Sequence, residues 1–361
     1  MTGWVERDRG AIAFAEQLLT VLEEGSFTAT YKYAVILALL DHCLEHSTRA
    51  GAAPSSLTTR QLAEKVVELY WPQARAFRER VLLQNSGKQA GILSRIVRFQ
   101  DGLDEPSAPV VRARSQAPAA YARLLRAVEW ILVQMPLPKL QRVGREVVSF
   151  LYRIGWSDDV RRGEFNADDF DNVIRFVGDA GDHLVRLAPL IRPLVQREWA
   201  ALVARFNELP EAELEHFLFG ARREAIAHLV APLGELQDGR CFYCGAKLGA
   251  RAQVDHFVPW SRHPDDGLDN LVVAHAPCNG EKRDHLAAAE HVERWTERMR
   301  ARAADLGAIA TAARWPREPE RTLGVARSIY LRLPSSARLW QREDRFVAVD
   351  AGRVRRALGA G

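Results

Sequence analysis

Apolar positions recur at helical spacing through most of this chain. Phe14, Leu18 and Leu22 stand four residues apart and Tyr33 to Leu40 is a nearly unbroken apolar run, so residues 11–46 read as two packed helices. After the punctuation at 50–56, Thr58 or Thr59 can cap a helix carrying Leu62, Val66, Leu69 and Tyr70. Residues 101–118, rich in proline, serine and charge, read as a linker. The helical pattern resumes over 119–230, broken at Met135–Pro138, Gly155 and Gly181, with amphipathic stretches at Leu184–Leu209 and Glu211–Leu229. Trp130, Trp156 and Trp199 are expected as core aromatics.

The period changes after residue 250. Gln253–Val258 alternates and is β-branched, as a short strand would be, and this sets Asp255 and His256 on opposite faces. Leu268–His275 reads as a loop entering a second strand. From Cys278 a helix is expected, with Leu286, Ala289, Val292, Trp295 and Met299 as its apolar side. In the tail, Ala301–Ala313 is expected helical, Ser328–Leu333 and Arg345–Asp350 strand-like, and Val354–Leu358 a short helix. The fold class expected is mainly α (α+β): a helical domain over 1–110, a second over 119–230, a β-β-α unit over 235–300, and an α+β tail over 301–361.

With 361 residues, 47% hydrophobic and 27% charged, the chain has the composition of a globular protein of two to three domains. It shows no long uncharged apolar run and no signal-peptide pattern at Met1–Arg9, so a cytoplasmic protein without a membrane partner is expected. A net charge of +4 excludes a strongly basic coat, so any nucleic-acid surface must come from local clusters. Arg75, Arg78, Arg80, Lys88, Arg95 and Arg98 are one such cluster, a face for phosphate or merely a solvated one. The helix opened at Thr58 or Thr59 has the same two readings, half of a helix-turn-helix or scaffold. No glycine-rich phosphate loop occurs, which argues against use of nucleotide energy.

The cysteines change the picture. Cys241-x-x-Cys244-Gly and His275-x-x-Cys278 supply four N/S ligands, a closed tetrahedral set suited to structural zinc. Cys43, inside an apolar run, has no partner at ligand spacing and reads as core. Between the two pairs lie Asp255, His256 and Asn270, with Asn279 just beyond. A carboxylate and an imidazole on adjacent positions can flank one phosphate, the first holding a cation and the second acting as a base near neutral pH.

The segment from Cys241 to His285 resembles the HNH endonucleases, in the H-N-N form, built on a ββα-metal finger. The resemblance implies that His256 is the general base, that Asp255 and Asn279 bind a catalytic Mg²⁺ or Mn²⁺, and that Asn270 braces the loop and orients the base. It further implies phosphate contacts from Lys282, with Arg283 and Arg262 as neighbouring substrate-binding candidates. His285, six residues past Asn279, is a weaker candidate for an extra ligand. A finger this small has little core, so zinc is expected to fold it.

The function implied is a metal-dependent endonuclease cleaving DNA, in genome or antiviral defence or restriction. RNA cleavage is one alternative, and a zinc-stabilised nucleic-acid-binding protein without catalysis is another. A homodimer or a defence-system partner protein is compatible with the chain.

Overall fold

The computed structural model describes residues 2–25, 28–86, 91–143, 146–220 and 226–359, with backbone alone for 2–8. Lys88 and residues 221–225 of the stretch expected at Glu211–Leu229 lie outside the described residues. The chain divides into two compact units, Met1–Cys43 with Ala53–Gly220, and Leu44–Ala52 with Ala221–Gly361. Among the described residues no helix is long and apolar enough to cross a membrane.

The first unit is helical. The run at Tyr33–Leu40 lies in a helix, Tyr31–Glu45, whose positions 34–40 are wholly buried, as expected for a helix apolar on every side. Helices Thr2–Glu24 and Ala180–Asn207 surround the same core, where Trp199 is fully buried and donates through Nε1 to Gln84 Oε1 at 2.8 Å. Trp130 and Trp156 are only half-buried, against a satellite cluster of Val133, Val160 and Phe165. Thr58 caps helix Thr59–Tyr70 through a capping box with Gln61, and this helix buries Leu62, Val66 and Tyr70, as scaffold does.

Among the described residues, five short strands complete the unit: β1 (Ser56–Thr58), β2 (Arg142–Val143), β3 (Glu146–Val147), β4 (Tyr152–Arg153) and β5 (Val173–Phe176). They form an antiparallel sheet of order β1-β5-β4, with Leu57 opposite Ile174, and a β2–β3 pair.

One sequence expectation needs correction in this unit. Residues 101–118 are not a linker: Val110–Gln116 is helical, Ala108 and Ala113 are buried, and Trp71 Nε1 donates to the Ala108 carbonyl at 2.9 Å. Two of the three prolines there start helices, Pro109 preceding Val110 and Pro118 opening Pro118–Gln134. In the arginine stretch, open between a phosphate face and a solvated one, three members are engaged within the unit. Arg75 donates to the Phe217 carbonyl, Arg78 pairs with Glu213 at 2.8 Å, and Arg80 donates to the Asn207 carbonyl at 2.9 Å.

The second unit holds β6 (Ala252–His256) and β7 (Leu271–His275), paired antiparallel with Asp255 opposite Val272 and His256 opposite Leu271. A short helix, Ala276–Lys282, follows directly. The single amphipathic helix expected from Cys278 is two helices. Arg283 adopts φ 48°, which ends the first, and Leu286–Ala288 then runs beside Trp340 before helix Ala289–Ala301 begins. The Leu286 carbonyl accepts from Trp340 N at 2.9 Å and Ala288 N donates to Trp340 O at 2.7 Å, so this stretch satisfies its backbone on a strand. That strand, β8 (Arg338–Arg342), pairs with β9 (Arg345–Ala348). Ser328–Leu333, expected as a strand, instead ends helix Pro319–Tyr330, where Val325 and Ser328, three apart, and Ala326 and Tyr330, four apart, face inward at helical spacing.

The core of this unit extends well beyond the β-β-α element. Leu271 and Val273 of β7 pack with Leu229, Leu233 and Leu268, and with Leu306 of helix Ala303–Ala313. Phe257 stacks on Trp295 at 4.6 Å between ring centres. A metal ion would therefore not be this region's only source of cohesion, contrary to the expectation for an isolated finger.

Candidate active site and metal centre

The metal-ligand pairs converge. Cys241, Cys244, His275 and Cys278 bring one ligand atom each to within 4.8 Å of one another. Cys244 Sγ and Cys278 Sγ lie 3.3 and 4.0 Å from His275 Nδ1. Ligands of a tetrahedral zinc stand about 3.5–3.8 Å apart, so the cluster is compatible with that ion. His275 Nε2 lies 3.0 Å from the Lys247 carbonyl, to which it can only donate, and this leaves Nδ1 with its lone pair toward the cysteines.

Local chain geometry builds the cluster. Gly245 adopts φ +74°, a conformation that favours glycine, and closes the turn through a Gly245 N to Cys241 O bond of 2.9 Å. Burial, the largest influence on the Cys241 thiol, pushes it up. Backbone N–H groups of Cys244, His275 and Tyr243 more than reverse this and leave it below the ordinary value. Cys278 is pushed up to about 12 by burial and by charge on Cys241 and Cys244. Three thiolates resist sharing this space without a cation, and a divalent ion would relieve that conflict.

Asp255 and His256 lie on opposite faces of β6, next to each other and both mostly buried. On one face, Tyr243 Oη donates to Asp255 Oδ2 at 2.5 Å and Lys282 Nζ lies 3.0 Å from the same oxygen. Burial, then the Asp255 charge, holds the Tyr243 phenol well above its usual range, so it remains a donor. Because Tyr243 sits between Cys241 and Cys244, the metal cluster and Asp255 are one residue apart in the chain of contacts.

Lys282 was expected at phosphate, and the structure turns it inward instead. It is fully buried, and Nζ also donates to the His256 carbonyl at 2.8 Å, so its charge neutralises Asp255. Removing one member of a buried pair leaves the other uncompensated. Lys282→Met is therefore expected to lower stability by about 3 kcal/mol, read as a lower urea midpoint; an unchanged midpoint would mean that Asp255 does not depend on it.

On the other face, His256 Nε2 lies 2.8 Å from Asp266 Oδ1, with the Trp260 ring 5.3 Å from the imidazole. Sequence reasoning passed over Asp266. The available signal was the adjacent pair Asp265-Asp266 in the loop between His256 and Asn270. Asp265 is spent inside: its Oδ1 accepts from Gly267 N at 2.8 Å and its Oδ2 from Thr322 at 2.9 Å.

Asn270, wholly buried, fastens this loop. Its Oδ1 accepts from Val258 N at 2.8 Å, and Nδ2 donates to the carbonyls of Val258 and Asp265 at 3.1 and 3.0 Å. The preceding residue is pinned too, as the Asp269 carbonyl accepts from Trp295 Nε1 at 2.8 Å and Arg298 Nη2 at 2.9 Å. Burial lowers Arg298 to about 10, against the countering charge of Asp269.

Asn279, half-buried on helix Ala276–Lys282, donates through Nδ2 to Gln253 Oε1 at 3.0 Å. Gln253 shares the face of β6 that carries Asp255. Arg283 is exposed, donating only locally to the Gly280 carbonyl at 3.1 Å, and Arg262 is half-buried beyond Trp260. His285 packs on Phe346 at 4.8 Å between ring centres, so it is not brought to the ligand cluster.

Comparison with known families gives two matches. HNH endonuclease matches residues 241–288, the span of the ligand cluster and β6–β7. A domain of unknown function (DUF8808) matches residues 10–218, nearly the whole first unit. No curated protein and no solved structure matches the chain.

Proposed function

We propose that this chain, which belongs to the DUF8808 family and carries an HNH endonuclease segment, is a metal-dependent endonuclease that hydrolyses DNA phosphodiester bonds. The observation that carries the reading is His256 held by a carboxylate on one face of β6, with Asp255 and the Asn279 helix on the other. Zinc at Cys241, Cys244, His275 and Cys278 would fix the turn that carries Tyr243. A catalytic Mg²⁺ or Mn²⁺ at Asp255 and Asn279 would offset charge on the phosphate and on the departing oxygen. The donor set suits a hard ion: both contacts to Asp255 fall on Oδ2, and Oδ1 takes part in neither.

His256 does the proton work. With Nε2–H donated to Asp266, Nδ1 carries the lone pair and takes a proton from the attacking water. The water oxygen bonds to phosphorus, the P–O3′ bond breaks, and the 3′-oxygen takes its proton from solvent, leaving a 5′-phosphate and a 3′-hydroxyl. Asp266 is a positioning residue. Asp266→Ala is expected to lower kcat on the order of 10- to 100-fold with KM little changed, and Asp266→Asn to recover part of the loss. A change in KM alone would remove Asp266 from this role.

Arg283 and Arg262 are assigned to phosphate from the surface of the segment, and Lys282 to support of Asp255. Genome defence or restriction is the setting proposed, by analogy of architecture. The test is incubation of purified protein with supercoiled plasmid and Mg²⁺ or Mn²⁺. Conversion to open-circle or linear DNA supports the reading and distinguishes nicking from double-strand cleavage. Cleavage of single-stranded RNA but not plasmid would replace DNA by RNA, and binding without cleavage of either would leave a nucleic-acid-binding module.

A further inference from the structure

The first unit holds a cavity of about 380 Å³ that the proposed reaction does not use. That volume lies in the range of small-molecule sites. Three cations line it from three separate elements: Lys32 in the first turn of helix Tyr31–Glu45, Lys139 in the turn Pro136–Lys139, and Arg142 in β2. The concentration is unusual for this chain, whose 361 residues include only six lysines. Tyr31, Met135 and Pro136 supply an apolar wall.

We infer that this cavity binds a nucleoside phosphate, its phosphate against Lys32, Lys139 and Arg142 and its base against Tyr31, Met135 and Pro136. The wall is prepared for a flat ring. Tyr31 Oη accepts from Ile92 N at 3.2 Å, which fixes the ring, and stacking on an aromatic ring tolerates any base.

The charges favour an anion. Glu24 also lines the cavity, and Asp158 stands 3.6 Å from Lys139 and 3.5 Å from Arg142. The Asp158 contacts are long and half-exposed. Burial, and then the Arg142 charge, lowers the Lys32 ammonium from its ordinary value, so these cations are crowded against one another. The positive end of helix Tyr31–Glu45, from whose first turn Tyr31 and Lys32 come, adds to the field.

The test is calorimetric titration of the full-length protein with the four nucleoside 5′-monophosphates, without divalent ions. Saturable binding is expected for the wild type, weakened about tenfold in Lys139→Met and in Lys32→Met, with thermal melting used to confirm that both variants fold. Inorganic phosphate should compete more weakly than the nucleotides. No binding of any of the four would overturn the proposal. So would binding unaltered in both variants, or phosphate competing as well as the nucleotides, which would reduce the site to a simple anion hole. His256→Ala should bind the nucleotides like the wild type, so the outcome is independent of whether the second unit cleaves DNA.

Discussion

His256→Ala is expected to abolish plasmid cleavage while leaving the protein folded and its zinc content unchanged. Removing a general base costs on the order of 10²–10⁴ in rate. The neighbouring carboxylates are otherwise engaged. Asp255 is tied to Lys282 and Tyr243 on the other face of β6, Asp265 is spent on Gly267 and Thr322, and Asp266 is there to hold the imidazole. The structural loss should be small. His256 makes one side-chain hydrogen bond and one edge contact with Trp260, whereas Asn270 and Trp295 hold the surrounding loop. Melting temperature, metal content and cleavage rate measured on the same preparation separate the two effects. Full cleavage by the variant at matched zinc would remove His256 as the base. Loss of cleavage together with a collapsed melting transition would move it from chemistry to structure.

The features that could be read before the structure were those fixed by short-range geometry. Alternation alone sets Asp255 and His256 on opposite faces, the two-residue gaps in Cys241–Cys244 and His275–Cys278 bring four ligands together, and Thr58 with Gln61 forms a capping box. What escaped notice depended on contacts made at a distance. Asp266 reaches His256 because Asn270 draws the intervening loop back through Val258 and Asp265, a closure that no local pattern encodes. The break at Arg283 arises because Leu286–Ala288 pairs with a strand more than 50 residues later, which overrides a convincing helical period. Lys282 fits a phosphate contact by motif position, yet charge balance with the buried Asp255 draws it inward. The proline and serine content of 101–118 misled for a related reason. Prolines that open helices have the same composition as prolines in a linker, and only the burial of Ala108 and Ala113 tells them apart.

Stripping zinc, by a strong chelator or by Cys241→Ser, is expected to end cleavage without unfolding the second unit. In isolated finger peptides a structural zinc supplies about 10–16 kcal/mol of apparent binding energy and the apo form is unfolded. Here Leu271 and Val273 are packed against Leu229, Leu233 and Leu306, and Phe257 against Trp295, contacts that none of the ligands makes. The turn from Cys241 to Gly245 keeps the Phe242–Phe257 and Tyr243–Trp340 contacts and the Phe242 N to Val273 O bond of 2.9 Å, but the ion would join it to His275 and Cys278: once it leaves, burial and the charge on Cys241 and Cys244 raise the Cys278 thiol to about 12, and that side of the cluster protonates and loosens. Tyr243 lies inside that turn, so loosening withdraws its hydroxyl from Asp255 and leaves the carboxylate to Lys282 alone. Activity should therefore fail before the fold does. Hydrogen exchange should show protection lost over 241–248 and kept over 271–275 and 303–313, with cleavage absent even in excess Mg²⁺. Zinc added back should restore the chelated wild type but not Cys241→Ser. Full cleavage by zinc-free protein would sever the proposed link through Tyr243, and loss of protection across 271–275 and 303–313 would return zinc to the role of sole organiser of the unit.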